Sequence, residues 1–240
     1  MSQIISKGTV NRLLKDVKQM ITHPLIENGI YYIHDDEDML KGYALIVGPS
    51  ETPYFSGYYF FELNYPVDYP HSPPKVKYLT NGNNVRFNPN LYKCGKVCIS
   101  LLNTWRGEQW TSCQSISSVL LTLCTLLCKE PLLNEPGVSK KHNDFANYTN
   151  IIEYSNINIA ICDIVNKKKG VYMELFESFC PFIKEHFLQN YDKLVEFVEN
   201  KISTAFKEPV IVKTGLYDMT IEIDYLKVLN KLKECKESFL

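Results

Sequence analysis

Residues 30–33, 43–47, 57–63 and 75–79 are rich in β-branched and aromatic side chains, and the connections between them are short. Parallel neighbours in a sheet need a crossover of about a dozen residues or more. The linkers here are centred on Asp35-Asp36-Glu37-Asp38, on Gly48-Pro49-Ser50 and on the proline-rich residues 65–74. They are too short for that, so the four runs are expected to form an antiparallel meander. Ahead of them, Val10, Leu13, Leu14, Val17, Met20 and Ile21 recur at intervals of three and four, the mark of an amphipathic helix. His23-Pro24 ends it.

After the meander the pattern changes. Between Thr80 and Thr111 no long periodic element appears, apart from a short turn after Cys98. A loop of that length inside a compact domain is usually functional. A second helix is expected over residues 115–127, with Ile116, Val119, Leu120 and Leu123 inward and Pro131 and Pro136-Gly137 breaking the chain beyond it. Ile157, Ala160, Ile161, Ile164 and Val165 then share one helical face, followed by Lys167-Lys168-Lys169-Gly170, read as a solvated helix end. Residues 171–188, 191–205 and 225–232 read as three further amphipathic helices, with residues 208–218 as the link before the last. The order of elements gives an α+β fold. We divide it into a core over residues 1–165 and a helical C-terminal extension over residues 166–240.

Composition narrows the function classes. A formal net charge of −1 argues against an electrostatic footprint for nucleic acid. There is no apolar run long enough to span a bilayer, and the first residues carry no secretory pattern. The expectation is therefore a cytoplasmic or nuclear protein whose eight cysteines stay reduced. Cys94 and Cys98, and again Cys124 and Cys128, stand four apart without the Cys-x-x-Cys knuckle of zinc sites, so no metal is expected. Cys124 and Cys128 instead read as small core residues.

The long loop holds the chemistry. Asn88-Pro89-Asn90 stands just ahead of Cys98, which opens the short apolar run Cys98-Ile99-Ser100-Leu101-Leu102. Proline fixes its own φ and restrains the residue before it, so the turn is stiff. A thiol that carries an acyl group as a thioester needs a hydrogen-bond donor for the oxygen that turns negative during attack. Asn90 supplies an amide in that position, with a plain turn role as the alternative. This reading puts the Cys98 sulfur at the mouth of an open groove with Asn90 beside it.

The flanks of this loop resemble ubiquitin-conjugating enzymes. Tyr65-Pro66 through Pro73-Pro74 is similar to the family's Tyr-Pro-x-x-Pro-Pro signature, and Gly95-Lys96-Val97-Cys98 to its Gly-x-x-Cys. Asn88-Pro89-Asn90 stands where most members have His-Pro-Asn, and Trp110-Thr111 resembles the family's Trp-Ser-Pro. Within the family the likeness is to the large Z class, which shares the Asn-Pro-Asn turn, Leu102-Asn103-Thr104-Trp105, Asn134-Glu135-Pro136-Gly137 and Ala160-Ile161-Cys162-Asp163. It covers residues 8–165 well.

The resemblance implies a UBC-like fold: N-terminal helix, four-stranded antiparallel meander, long active-site loop, then helices. It also implies that Cys98 accepts the C-terminal glycine of ubiquitin, or of a ubiquitin-like protein, from an activating enzyme and passes it to a lysine of a substrate protein. The chain then needs no cofactor, since the activating enzyme consumes the ATP. Asn134 and Glu135 fall on the loop where relatives orient the incoming lysine. His71, with Ser112 and Cys113, falls where relatives contact ubiquitin ligases, while Trp105 and Trp110 are expected to pack the Cys98 loop. Two other readings remain: a non-catalytic ubiquitin-binding module of the same fold, and a cysteine hydrolase pairing Cys98 with His142 or His186.

Overall fold

The computed structural model describes residues 5–82, 84–166 and 172–239, with the backbone alone for residues 172–176. The lysine run at 167–169 and Gly170 lie outside the described residues. Helix α1 (Lys7–Thr22) opens on a Ser6 cap whose hydroxyl accepts the Thr9 N–H. Its buried face is Thr9, Leu13, Asp16 and Met20, whereas Leu14 and Ile21, read as inward, are 53% and 73% exposed. The reason is polar. Asp16 accepts hydrogen bonds from Arg12 and from the Tyr69 hydroxyl, and the Thr9 hydroxyl donates to the Val67 carbonyl. These bonds turn the helix so that its polar residues seat the proline-rich loop.

Strands β1 (Ile30–His34), β2 (Lys41–Val47), β3 (Tyr58–Asn64) and β4 (Lys75–Tyr78) pair antiparallel in sequence order, the expected meander. Strand residues alternate between faces. On β3, Tyr59 turns to one side, edge-on to Tyr54 and Phe87. Tyr58 and Phe60 turn to the other. The first face carries the long loop and helix α2 (Ile116–Leu126), which starts from a Ser115–Ser118 capping box. Helix α3 (Phe145–Ser155) runs on into a π-helical segment, Asn156–Asp163. There the buried Asn156 accepts the Tyr59 hydroxyl at 2.7 Å and donates to the Phe55 carbonyl at 2.9 Å. The predicted apolar face, Ile157 to Val165, is buried throughout.

The C-terminal part differs from expectation in two places. The two helices read over 171–188 and 191–205 are one helix, α4 (Tyr172–Thr204), with Pro181 inside it. Residues 208–218 hold no simple link but most of a hairpin, β5 (Val210–Thr214) and β6 (Met219–Ile223), before α5 (Tyr225–Glu237). Helix α4 covers the second face of the sheet, where Phe179 meets Phe60, Phe182 meets Tyr31, and His186 meets Tyr58. Lys201–Glu153 at 2.6 Å and Lys231–Asp163 at 3.3 Å tie α4 and α5 to the α3 segment. Among the described residues no helix is long and apolar enough to cross a membrane.

Candidate active site

The long loop is held by one buried amide. Asn88, fully buried, donates through Nδ2 to the Leu126 carbonyl at 2.7 Å and to the Tyr54 hydroxyl at 3.3 Å. Its Oδ1 accepts the Asn90 backbone N–H at 2.9 Å and the Asn134 side-chain amide at 3.4 Å. Tyr54 in turn donates to the Phe87 carbonyl, and burial pushes its hydroxyl pKa up, so it remains a donor. One side chain thus joins the end of α2, the loop ahead of Cys98 and the turn Pro131–Asn134. Replacing it leaves several buried groups unpaired, each costing about 1–3 kcal/mol. Asn88→Ala is expected to lower stability by about 2–3 kcal/mol, read as an earlier midpoint in urea unfolding.

Asn90 and Cys98 are bonded in both directions. The Asn90 side-chain Nδ2 donates to the Cys98 carbonyl at 2.6 Å, and the Cys98 backbone N–H donates to the Asn90 carbonyl at 2.9 Å. A carboxamide nitrogen carries two hydrogens, and the Cys98 carbonyl takes one of them. Cys98 itself is 4% exposed. That corrects the expectation of a sulfur at the mouth of an open groove. The chain after Cys98 folds back on it: Thr104 Oγ1 accepts the Ile99 N–H at 3.0 Å and donates to the Val97 and Ile99 carbonyls at 3.0 Å each. Residues 103–109 lie exposed beyond that knot.

The other candidates are placed as follows. Asn134 joins the site through Asn88, while Glu135 accepts the Tyr217 hydroxyl at 2.5 Å. His71, Ser112 and Cys113 are exposed on two loops that meet. Trp110 Nε1 donates to the Pro70 carbonyl at 2.7 Å, and the Arg12 guanidinium donates to the Ser112 carbonyl at 2.6 Å. Trp110 therefore packs the proline-rich loop, beside Tyr69, and its backbone N–H donates to Asn103 Oδ1 at 2.9 Å in the segment after Cys98, whereas Trp105, expected to pack that loop too, is 46% exposed. The histidines needed for a hydrolase are engaged elsewhere. His142 accepts the Asp144 N–H, and His186 lies against Tyr58 and Asn190 on the opposite face of the sheet.

All eight cysteines are free, and Cys124 and Cys128 are only half-buried. Cys124 lies 3.7 Å from the Asn28 carbonyl. Among the described residues no group of three His, Cys, Asp or Glu side chains gathers as a metal site. The sequence reading missed Tyr217 altogether. Its only signal was the pair of β-branched runs at 210–214 and 219–223, which mark a hairpin and so a tip that reaches somewhere.

Residues 12–173 match the family described as "Ubiquitin-conjugating enzyme". Proteins named "Ubiquitin-conjugating enzyme E2 Z" are similar over most of the chain. The one from Danio rerio is 38% identical over 190 residues, covering 78% of this chain and 56% of its own. The Homo sapiens protein is 36% identical over 237 residues, covering 92% and 64%. That from Xenopus tropicalis is 38% identical over 232 residues, covering 94% and 72%. The chain thus spans little more than half to about two thirds of the first two.

Proposed function

The chain belongs to the ubiquitin-conjugating enzyme family, and from that premise we propose that Cys98 carries ubiquitin, or a ubiquitin-like protein, as a thioester. In charging, the Cys98 thiolate attacks the glycyl carbonyl carbon held on the activating enzyme's cysteine. A new C–S bond forms, the old one breaks, and the activating enzyme's sulfur leaves as thiolate. In transfer, a neutral lysine amine of a substrate protein attacks the same carbon. The C–N bond forms, the C–S bond breaks with its electron pair returning to Cys98 Sγ, and the amine's surplus proton passes to solvent. Both steps go through a tetrahedral oxyanion. No histidine base is needed next to the thiol, because the charging step is exchange between two sulfurs.

The observation that carries this reading is the two-way bonding of Asn90 and Cys98 on a loop braced by Asn88. It holds the Asn90 side-chain donor against the Cys98 backbone and leaves that amide a second hydrogen, which we assign to the oxyanion. Lysine, with a pKa of about 10.4, is protonated near neutrality. Asn134 and Glu135 are the groups we assign to orient it. ATP is consumed upstream by the activating enzyme. The exposed loops carrying His71, Ser112 and Cys113 are assigned to ligase contact, and the place of action to the cytoplasm or nucleus.

One observation favours a second reading, a non-catalytic ubiquitin-binding module: the near-complete cover over Cys98. A single assay decides between them. The chain is incubated with ATP and each activating enzyme with its own modifier, and the products are run with and without reductant. An adduct that reductant removes supports the enzyme; no adduct with any pair, alongside measurable ubiquitin binding, supports the module.

A further inference from the structure

The tip of the β5–β6 hairpin reaches the proposed site from the far end of the chain. Tyr217 and Asp218 both hold left-handed backbone, with φ of +66° and +47°. Neither is glycine, and such residues cost about 1–3 kcal/mol each. The contacts around them show what keeps them there. The Tyr217 ring lies 4.3 Å from the Arg86 guanidinium carbon, whose other neighbour is the Tyr92 ring at 3.7 Å. Lys93 Nζ donates to the Tyr217 carbonyl at 2.9 Å and to the Asp218 carbonyl at 3.3 Å. The Tyr217 hydroxyl donates to Glu135 Oε2 at 2.5 Å. One residue of the C-terminal part therefore bridges two segments of the site, the loop leading to Cys98 and the turn bearing Asn134 and Glu135.

We propose that Tyr217 is a positioning residue for lysine transfer: its hydroxyl fixes one oxygen of Glu135, which frees the other to accept the incoming lysine ammonium. This rests on the conjugating-enzyme reading above and adds the hairpin to its machinery. Among the described residues the one hydrogen bond of the Glu135 carboxylate is to Oε2, so Oε1 keeps acceptor capacity. Burial first, then the hydrogen bond to Glu135 and its charge, raise the Tyr217 pKa, so the phenol stays protonated and a donor near neutrality. The lysine gives up its proton to solvent from that contact before the C–N bond forms, and Tyr217 exchanges none.

The test is single-turnover discharge of the preloaded thioester onto free lysine, at a series of lysine concentrations, for wild type, Tyr217→Phe, Glu135→Gln and the double variant. Tyr217→Phe keeps the ring on Arg86 and removes only the hydroxyl. We expect its kcat/KM for lysine to fall roughly tenfold, the usual weight of a hydrogen bond to a charged group, with the discharge rate dropping relative to the charging rate. The double variant should be no slower than Glu135→Gln alone, since the hydroxyl acts only through that carboxylate. Discharge by Tyr217→Phe within twofold of wild type overturns the proposal. So do losses that multiply in the double variant.

Amide hydrogen exchange over residues 130–138 of the uncharged chain tests the bridge without any loading. It should quicken in Tyr217→Phe, and unchanged exchange overturns the bridge. A chain that never loads, yet shows quickened exchange, fails as an enzyme and reduces the bridge to a structural contact. Normal loading with unaffected discharge fails the bridge alone.

Discussion

Cys98→Ala is expected to remove all modifier adduct, while Cys98→Ser yields one that survives reductant. The reasoning is chemical. The thiolate is the nucleophile. A serine hydroxyl is far less ionised, so loading is slower. The oxyester it forms is a poorer acyl donor than a thioester and does not exchange with added thiol, so it accumulates. The other seven cysteines are competitors in principle, and Cys94 and Cys113 are exposed. Neither is bonded to an amide as Cys98 is to Asn90. Denaturing gels with and without reductant read the result, and equal adduct in Cys98→Ala refutes the assignment.

The second large effect belongs to Asn90. Loss of a single oxyanion donor costs on the order of a hundred- to a thousand-fold in rate, and Asn90→Ala is expected to slow lysine discharge by that much. Its stability cost is smaller, about 1 kcal/mol, because the Cys98 backbone N–H keeps its bond to the residue 90 carbonyl and only one side-chain bond is lost. The two quantities separate the roles. A donor that merely braces the loop would show the melting shift without the rate. Asn90→Asp sharpens the distinction, since a carboxylate is acceptor-only when ionised and would face both the Cys98 carbonyl and the oxyanion with negative charge. It should be at least as slow as the alanine variant. Discharge of either variant within tenfold of wild type refutes the oxyanion role.

The meander was legible because β-branched and aromatic runs sat between connections too short for anything but antiparallel return. The grouping of Asn90 with Cys98 was legible from a motif. What failed to show has identifiable causes. Gln189 and Asn190, at the expected break in α4, are weak breakers beside a stripe that never lapses: Phe179, Ile183, Phe187, Tyr191, Leu194 and Val198 are spaced by four or three and all buried. Pro181, the strong breaker, was already inside a stretch read as helix. The hairpin stayed hidden because its turn puts Tyr217, not a glycine or asparagine, in the left-handed region, against the usual turn chemistry. The burial of Cys98 sits beside Thr104 bonding back to Val97 and Ile99, which no local pattern encodes. Leu14 and Ile21 were misjudged because helical periodicity counts apolar side chains, while here a buried carboxylate and hydroxyl set the rotation.

Helix α4 on the second face of the sheet has a consequence for anyone cutting the chain after Asn166. Tyr58 and Phe60 are fully buried there, and burial of each aromatic of that size is worth about 1.5–3 kcal/mol. A truncated protein would present that ring-bearing row, with Tyr31 beside it, as one contiguous oily surface of the kind that drives self-association. Such a fragment would clump before it could be assayed, and its silence would say nothing about catalysis.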